Sequence, residues 1–326
     1  MENYLPRIAD ETLKKSLRAS GAVLIEGPKG CGKTRTAMNQ AHSVLMMQDP
    51  DKQASYLQTA SIKPSLLLEG ETPRLLDEWQ IAPILWDAVR FTVDQRQKTG
   101  QFILTGSAVP GDNLTSHTGT GRISRLRMRP MSLFESQDSA GIVSLADLFA
   151  GSEDLAGINP IAIEKLAELI TRGGWPASIG EDQAITEQRA RDYVDAVINL
   201  DVSRVDSIEK SPGKVRQLMR SLARNLSTEA SMSTLKQDME AADESITIPT
   251  ISSYLNALER IFVVEDLAAW NPALRSKTPL RTSSKRHFAD PSIATAVMGI
   301  TAQRLLRDFN TFGYLFESLC IRDLRV

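Results

Sequence analysis

Gly27-Pro28-Lys29-Gly30-Cys31-Gly32-Lys33-Thr34 matches G-x-x-x-x-G-K-[ST] at every defined position. The spacing suits a polyphosphate. Small residues let consecutive backbone N–H groups curl around a β-phosphate. Lys33 then reaches the β- and γ-phosphates, and Thr34 offers a hydroxyl to Mg²⁺. A second acidic pair closes an apolar run: Arg74-Leu75-Leu76-Asp77-Glu78. Asp77 is expected to hold the Mg²⁺ shell and Glu78 to polarise the water that attacks the γ-phosphate. A solvated strand end is the bland reading of that pair, and the phosphate loop upstream weighs against it.

Two further polar groups fit the same chemistry. Phe102-Ile103-Leu104-Thr105-Gly106-Ser107 ends in hydroxyls. At the carboxyl edge of a parallel strand, Thr105 or Ser107 either meets the γ-phosphate and its water or caps a turn. Arg122 follows a glycine-rich loop and is the candidate arginine finger, acting on this chain's nucleotide or a neighbour's. Such a finger is worth about 10³–10⁵ in rate. Beyond it, Arg125, Arg127 and Arg129 alternate with Leu126 and Met128. That pattern predicts a strand with a solvated arginine face.

These residues need elements that bring them to one edge. Gly21–Glu26 reads as a buried strand feeding the loop. Lys33 to about Met47 reads as a helix through Ala37, Met38, Ala41, Val44 and Leu45. Ser55–Gln58 and Arg74–Asp77 read as short strands, a helix starts near Pro83, and Phe102–Thr105 is a further strand. Strand and helix alternating in this way predicts a parallel α/β sheet with helices on both faces. From about residue 160 the pattern turns helical: Lys165–Arg172, Gln188–Asp201, Lys214–Leu226, Ser233–Ala242 and Pro249–Arg260. Asp112–Gly121 and Gly151–Pro160 read as loop and connector.

Composition narrows the function classes. At 326 residues and 42% hydrophobic, the chain can bury cores for two or three domains. A net charge of -2 supplies no general attraction to nucleic acid. Cys31 and Cys320 form no disulfide framework, and with His42, His117 and His287 they present no zinc spacing. No apolar run can span a bilayer, and Met1–Tyr4 opens no signal peptide, so the expected setting is the cytoplasm.

Taken together, the phosphate loop, Leu75–Gln80, Ile103–Ser107, Gly121-Arg122 and Pro130–Glu135 resemble a family of bacterial and archaeal AAA-type P-loop ATP-binding proteins with a C-terminal domain of unknown function. Gly173-Gly174-Trp175-Pro176, Lys285–Pro291 and Gly313–Glu317 resemble that family's downstream strings. The resemblance implies an AAA-type sheet followed by a mostly helical part containing a winged helix. The expected segments are an ATPase domain over 1–135, a helical connector or lid over 136–210, a winged-helix-like unit over 211–271 and the start of a truncated C-terminal domain over 272–326. It implies ATP and Mg²⁺ as cofactors, and a homo-oligomer or protein partner.

The helix over Thr250–Ile261 carries only Glu259 and Arg260 as charges, so a packing lid is favoured over base reading, and nucleic acid is not favoured. Three function readings stay open: an Mg²⁺-dependent ATPase, a switch that needs a partner's arginine, and a DNA-associated protein. For a second sensing arginine, Arg172, Arg204 and Arg275 stand equal. Relatives continue into a nuclease-like region. The last apolar stripe, Leu315, Phe316, Leu319, Cys320 and Leu324, is therefore expected to lie exposed, with nuclease-like activity absent.

Overall fold

A computed structural model describes residues 4–107, 118–152, 156–205, 210–240, 246–272 and 284–326. They divide into two compact units, each discontinuous in sequence. Unit 1 takes Met1–Arg129, Asp201–Glu209 and Asn256–Val263. Unit 2 takes Pro130–Leu200, Lys210–Leu255 and Val264–Val326.

Unit 1 is built on five parallel strands: β1 (Ala22–Glu26), β2 (Ser43–Met46), β3 (Arg74–Asp77), β4 (Phe102–Gly106) and β5 (Ile123–Arg127), in the order β2-β3-β4-β1-β5. Central strands of a parallel sheet are buried on both faces and so read as continuous apolar runs. Ala22 and Leu24 point to one face, where Trp79, Leu85, Trp86 and Val89 pack, several of them from α4 (Ile84–Arg96). Val23 and Ile25 point to the other, against Leu13 and Leu17 of α1 (Ile8–Ala19) and Ala37 of α2 (Lys33–Met38).

Two expected elements change here. The helix predicted to Met47 ends at Met38, and Val44 and Leu45 belong to β2. That stretch is apolar at both helical and strand spacing. Pairing with β3 selects the strand, with Leu45 buried and Val44 exposed. Ser55–Gln58 is not a strand but the middle of α3 (Gln53–Ile62). Four residues are too few to separate period two from period 3.6.

Unit 2 is mostly helical. In chain order come α5 (Leu145–Phe149), α6 (Ile163–Arg172) and α7 (Gln183–Ala196). Then follow α8 (Pro212–Arg224), α9 (Met232–Glu240) and α10 (Ile248–Arg260), whose last residues count with unit 1. All helices expected after residue 160 are present. After α10 comes β6 (Val264–Leu267), antiparallel to β7 (Lys285–Phe288). The chain then makes α11 (Pro291–Met298), α12 (Ala302–Leu305) and α13 (Phe309–Arg325).

A buried polar hub organises unit 2. Asp290 accepts from Ser292 N at 2.9 Å, Gly174 N at 2.8 Å and Arg322 Nη1 at 2.9 Å. Arg322 Nη2 also meets Asp323 at 2.7 Å, and Trp175 Nε1 donates to Ser292 Oγ at 2.9 Å. A Cβ on Gly174 would stand 2.0 Å from the Met131 carbonyl, so only glycine allows this approach. Two of the three downstream strings quoted above, Gly173–Pro176 and Lys285–Pro291, thus meet at Asp290, and Lys285 pairs with Glu317 of the third at 2.9 Å. On α13, Phe312, Leu315 and Leu319 are buried, which corrects the expectation of an exposed stripe; Phe316 and Leu324 alone of that set stay largely in solvent. Among the described residues no helix is long and apolar enough to cross a membrane.

Candidate nucleotide site

The phosphate loop leaves β1 at the carboxyl edge of the sheet, where open α/β sheets take ligands. Two glycines are required there. A Cβ on Gly27 would lie 2.0 Å from the Met128 carbonyl. Gly32, the residue before α2, has φ 104°, in the left-handed region that a side chain strains. The loop then delivers Lys33 and Thr34 at a helix start, where N–H groups and the dipole favour anions.

Lys33 is buried, and its Nζ donates to the carbonyls of Gly27 at 2.8 Å and Pro28 at 2.9 Å. Outside the loop, Arg7 of the entry to α1 donates to the Cys31 carbonyl at 2.8 Å and to the Arg129 carbonyl at 2.8 Å. Lys29 points the other way, with Nζ 2.5 Å from Asp201 Oδ1.

Asp77 is fully buried at the end of β3. Its Oδ1 accepts from Thr34 Oγ1 at 2.8 Å and Thr105 Oγ1 at 2.5 Å, and its Oδ2 from Gln48 Nε2 at 2.9 Å. The acidic strand does not neighbour β1, because β4 lies between them. That insertion gives Thr105 its place between loop and carboxylate. Thr34 and Asp77 together form an all-oxygen donor set, the kind a hard cation such as Mg²⁺ takes.

Glu78 follows with φ 55° and ψ 45°, a left-handed conformation rare for glutamate. Such strain clusters at working sites. Its carboxyl accepts from Gln80 Nε2. Burial raises its pKa above the usual carboxylate value, and nearby Asp77 adds to the rise while Lys33 opposes it.

Arg122 is not part of this cluster. Its carbonyl accepts from Ala22 N, at the opposite end of β1, and its Nε pairs with Asp94 at 2.8 Å. The five residues of β1 span about 16 Å, so Arg122 does not reach this chain's loop. Nor is the arginine face of β5 simply solvated. Arg125 meets Glu26 at 2.9 Å, and the Arg127 guanidinium lies 4.4 Å from the Phe262 ring centroid. Of the sensor candidates, Arg172 is buried with Asp138 at 2.7 Å. Arg275 and the side chain of Arg204 lie outside the described residues, as does His117.

Sequence reading missed Arg7, Gln48, Gln80 and Asp201. Gln48 and Gln80 had a signal, since each is polar and lies just beyond an apolar parallel strand. Arg7 and Asp201 had none, being 24 and 172 positions from their loop partners.

Residues 19–137 match the family described as AAA domain, and residues 163–304 match a domain of unknown function, DUF8612. Among solved structures, the Walker-type ATPase PABY2304 of Pyrococcus abyssi is 12% identical, with a TM-score of 0.52 over 91% of this chain and 97% of that one. The shared feature there is the fold. Uncharacterized proteins Rv2008c of Mycobacterium tuberculosis and Mb2031c of Mycobacterium bovis are each 23% identical over 321 residues. The match covers 98% of this chain and 65% of theirs, so the chain spans just under two-thirds of their length.

Proposed function

We propose, on the premise that residues 19–137 are an AAA domain with a P-loop NTPase fold, that this chain binds ATP with Mg²⁺ and hydrolyses it to ADP and phosphate. The observation that carries the reading is the convergence of Thr34 and Thr105 on one carboxylate oxygen of Asp77, with Glu78 next in sequence and Lys33 in the phosphate loop.

In this reading Lys33 exchanges two loop carbonyls for β- and γ-phosphate oxygens. Gly30–Thr34 supply backbone N–H groups. Thr34 and Asp77 would hold Mg²⁺, which would supply Lewis-acid stabilisation of the negative charge on the phosphates. Thr105 keeps Asp77 oriented. Glu78 aligns the attacking water and accepts its proton, which requires the ionised carboxylate. Phosphoryl transfer asks little more of a protein than such positioning and charge.

Turnover of Mg·ATP by the full chain tests this. Lys33→Ala and Glu78→Gln should each lower kcat at least 100-fold, while Glu78→Gln keeps its affinity for ATP. Wild-type turnover that survives Lys33→Ala sinks the assignment.

A second reading is a nucleotide switch that hydrolyses only with a partner. It is favoured by the positions of Lys33, which donates to two loop carbonyls, of Asp77, which accepts three hydrogen bonds, and of Arg122 at the far edge of the sheet. Turnover per chain that rises with protein concentration supports it over the self-sufficient ATPase. The succession α8, α9, α10 and β6 supports a winged-helix-like unit over 211–271, acting as a packing lid rather than a DNA reader. The setting that fits is the cytoplasm.

A further inference from the structure

Lys29 is the third residue of the phosphate loop and half-exposed, yet its ammonium is committed to Asp201 at 2.5 Å. The Asp201 side chain is 11% exposed. A carboxylate withdrawn from water thus faces a lysine of the phosphate loop. Its position is built rather than incidental. After α7 the chain makes a π turn over Val197–Asp201, then a tight turn over Val202–Arg204. Isolated π turns rotate the following side chains relative to an α-helical path and recur at functional sites. Val202, the residue after Asp201, is fully buried.

A second returning segment, Asn256–Val263, joins the same compact unit. There Phe262 takes φ 62° and packs under Arg127. Arg127 pairs in register with Glu26, the residue before the loop. Both returning segments therefore contact residues in or next to the loop.

We infer that Asp201 sets the affinity of the nucleotide site: its carboxylate holds Lys29 in place of a phosphate oxygen, and an incoming polyphosphate must displace it. The inference rests on the nucleotide reading above and adds a regulation of that site. Displacement leaves Asp201 short of its counter-charge in a poorly hydrated position, and that cost subtracts from binding. The ligand class is a polyphosphate, alone or on a nucleoside, because the competition concerns anionic oxygens and not the base.

Calorimetric titration of the full chain tests it with Mg·ATP, inorganic tripolyphosphate and adenosine as probes. Asp201→Asn, which keeps the shape, should bind Mg·ATP and tripolyphosphate roughly five- to tenfold more tightly, with adenosine unchanged. In a Lys29→Gln background the gain should vanish. Unchanged or weaker polyphosphate binding in Asp201→Asn, or the same gain without Lys29, overturns the inference. If wild type binds Mg·ATP through Lys33 and Asp201→Asn binds no tighter, this inference alone falls. If neither protein binds although both are folded, the nucleotide reading falls with it. Amide exchange of the wild type gives an independent readout: Mg·ATP should speed exchange over 197–204, and slower or unchanged exchange there counts against displacement.

Discussion

Asp77 shows how much a single side chain depends on its surroundings. Three donors hold its two oxygens: Thr34 from the start of α2, Thr105 from β4 and Gln48 from the turn after β2. Hydrogen bonds of this kind hold a carboxylate oriented. The loop residues Gly27–Thr34 were legible in the sequence because their chemistry is local. Arg7 and Asp201 were not, because topology alone brings them to the loop. His287 is the opposite case at this scale. It is buried, neither ring nitrogen has a hydrogen-bond partner, and burial lowers its pKa to about 4, with Arg325 adding to the effect. The unfolded chain takes up that proton near pH 6.5. The contribution to stability is therefore full above about pH 6.5 and is lost as pH falls towards 4, on the order of 3 kcal/mol. Urea unfolding at pH 7.5 and pH 5 should show this loss, and His287→Phe should flatten it. An unchanged slope in the variant would locate the acid sensitivity elsewhere.

At the scale of elements, strand order decided what the site contains. β4 lies between β1 and β3, so Thr105 faces Asp77 instead of a turn. The apolar runs of β1, β3 and β4 were legible because buried parallel strands have one reading. The stretch around Val44 and Leu45 was ambiguous, and its partner strand resolved it. In unit 2 the helices were legible from periodicity, but the hub they build around Asp290 was not. Asp290→Ala would leave Arg322 buried with Asp323 alone and strand the amides of Gly174 and Ser292. Breaking such a pair from one side costs about 3–5 kcal/mol. Chemical denaturation should register a loss of that size, and a change below about 1 kcal/mol would mean the hub contributes little.

At the scale of the molecule, the compact unit that holds the phosphate loop is assembled from three separate stretches of chain. Phe262 is the test of that assembly, being buried and stacked on Arg127 despite its left-handed backbone. Phe262→Ala should destabilise the protein by about 3–5 kcal/mol through lost burial and a residual cavity. Denaturant unfolding followed by Trp79 and Trp86 fluorescence reads the unit directly, and unchanged unfolding there would show that the segment is dispensable. The phosphate loop, the acidic strand end and the α/β class followed from residues adjacent in sequence, because glycine turns, apolar runs and helix starts are local chemistry. The partners of Lys29, Asp77 and Asp290, the far-edge position of Arg122 and the burial of α13 came from chain return and strand order, which bring together residues whose separation in sequence carries no periodic signal.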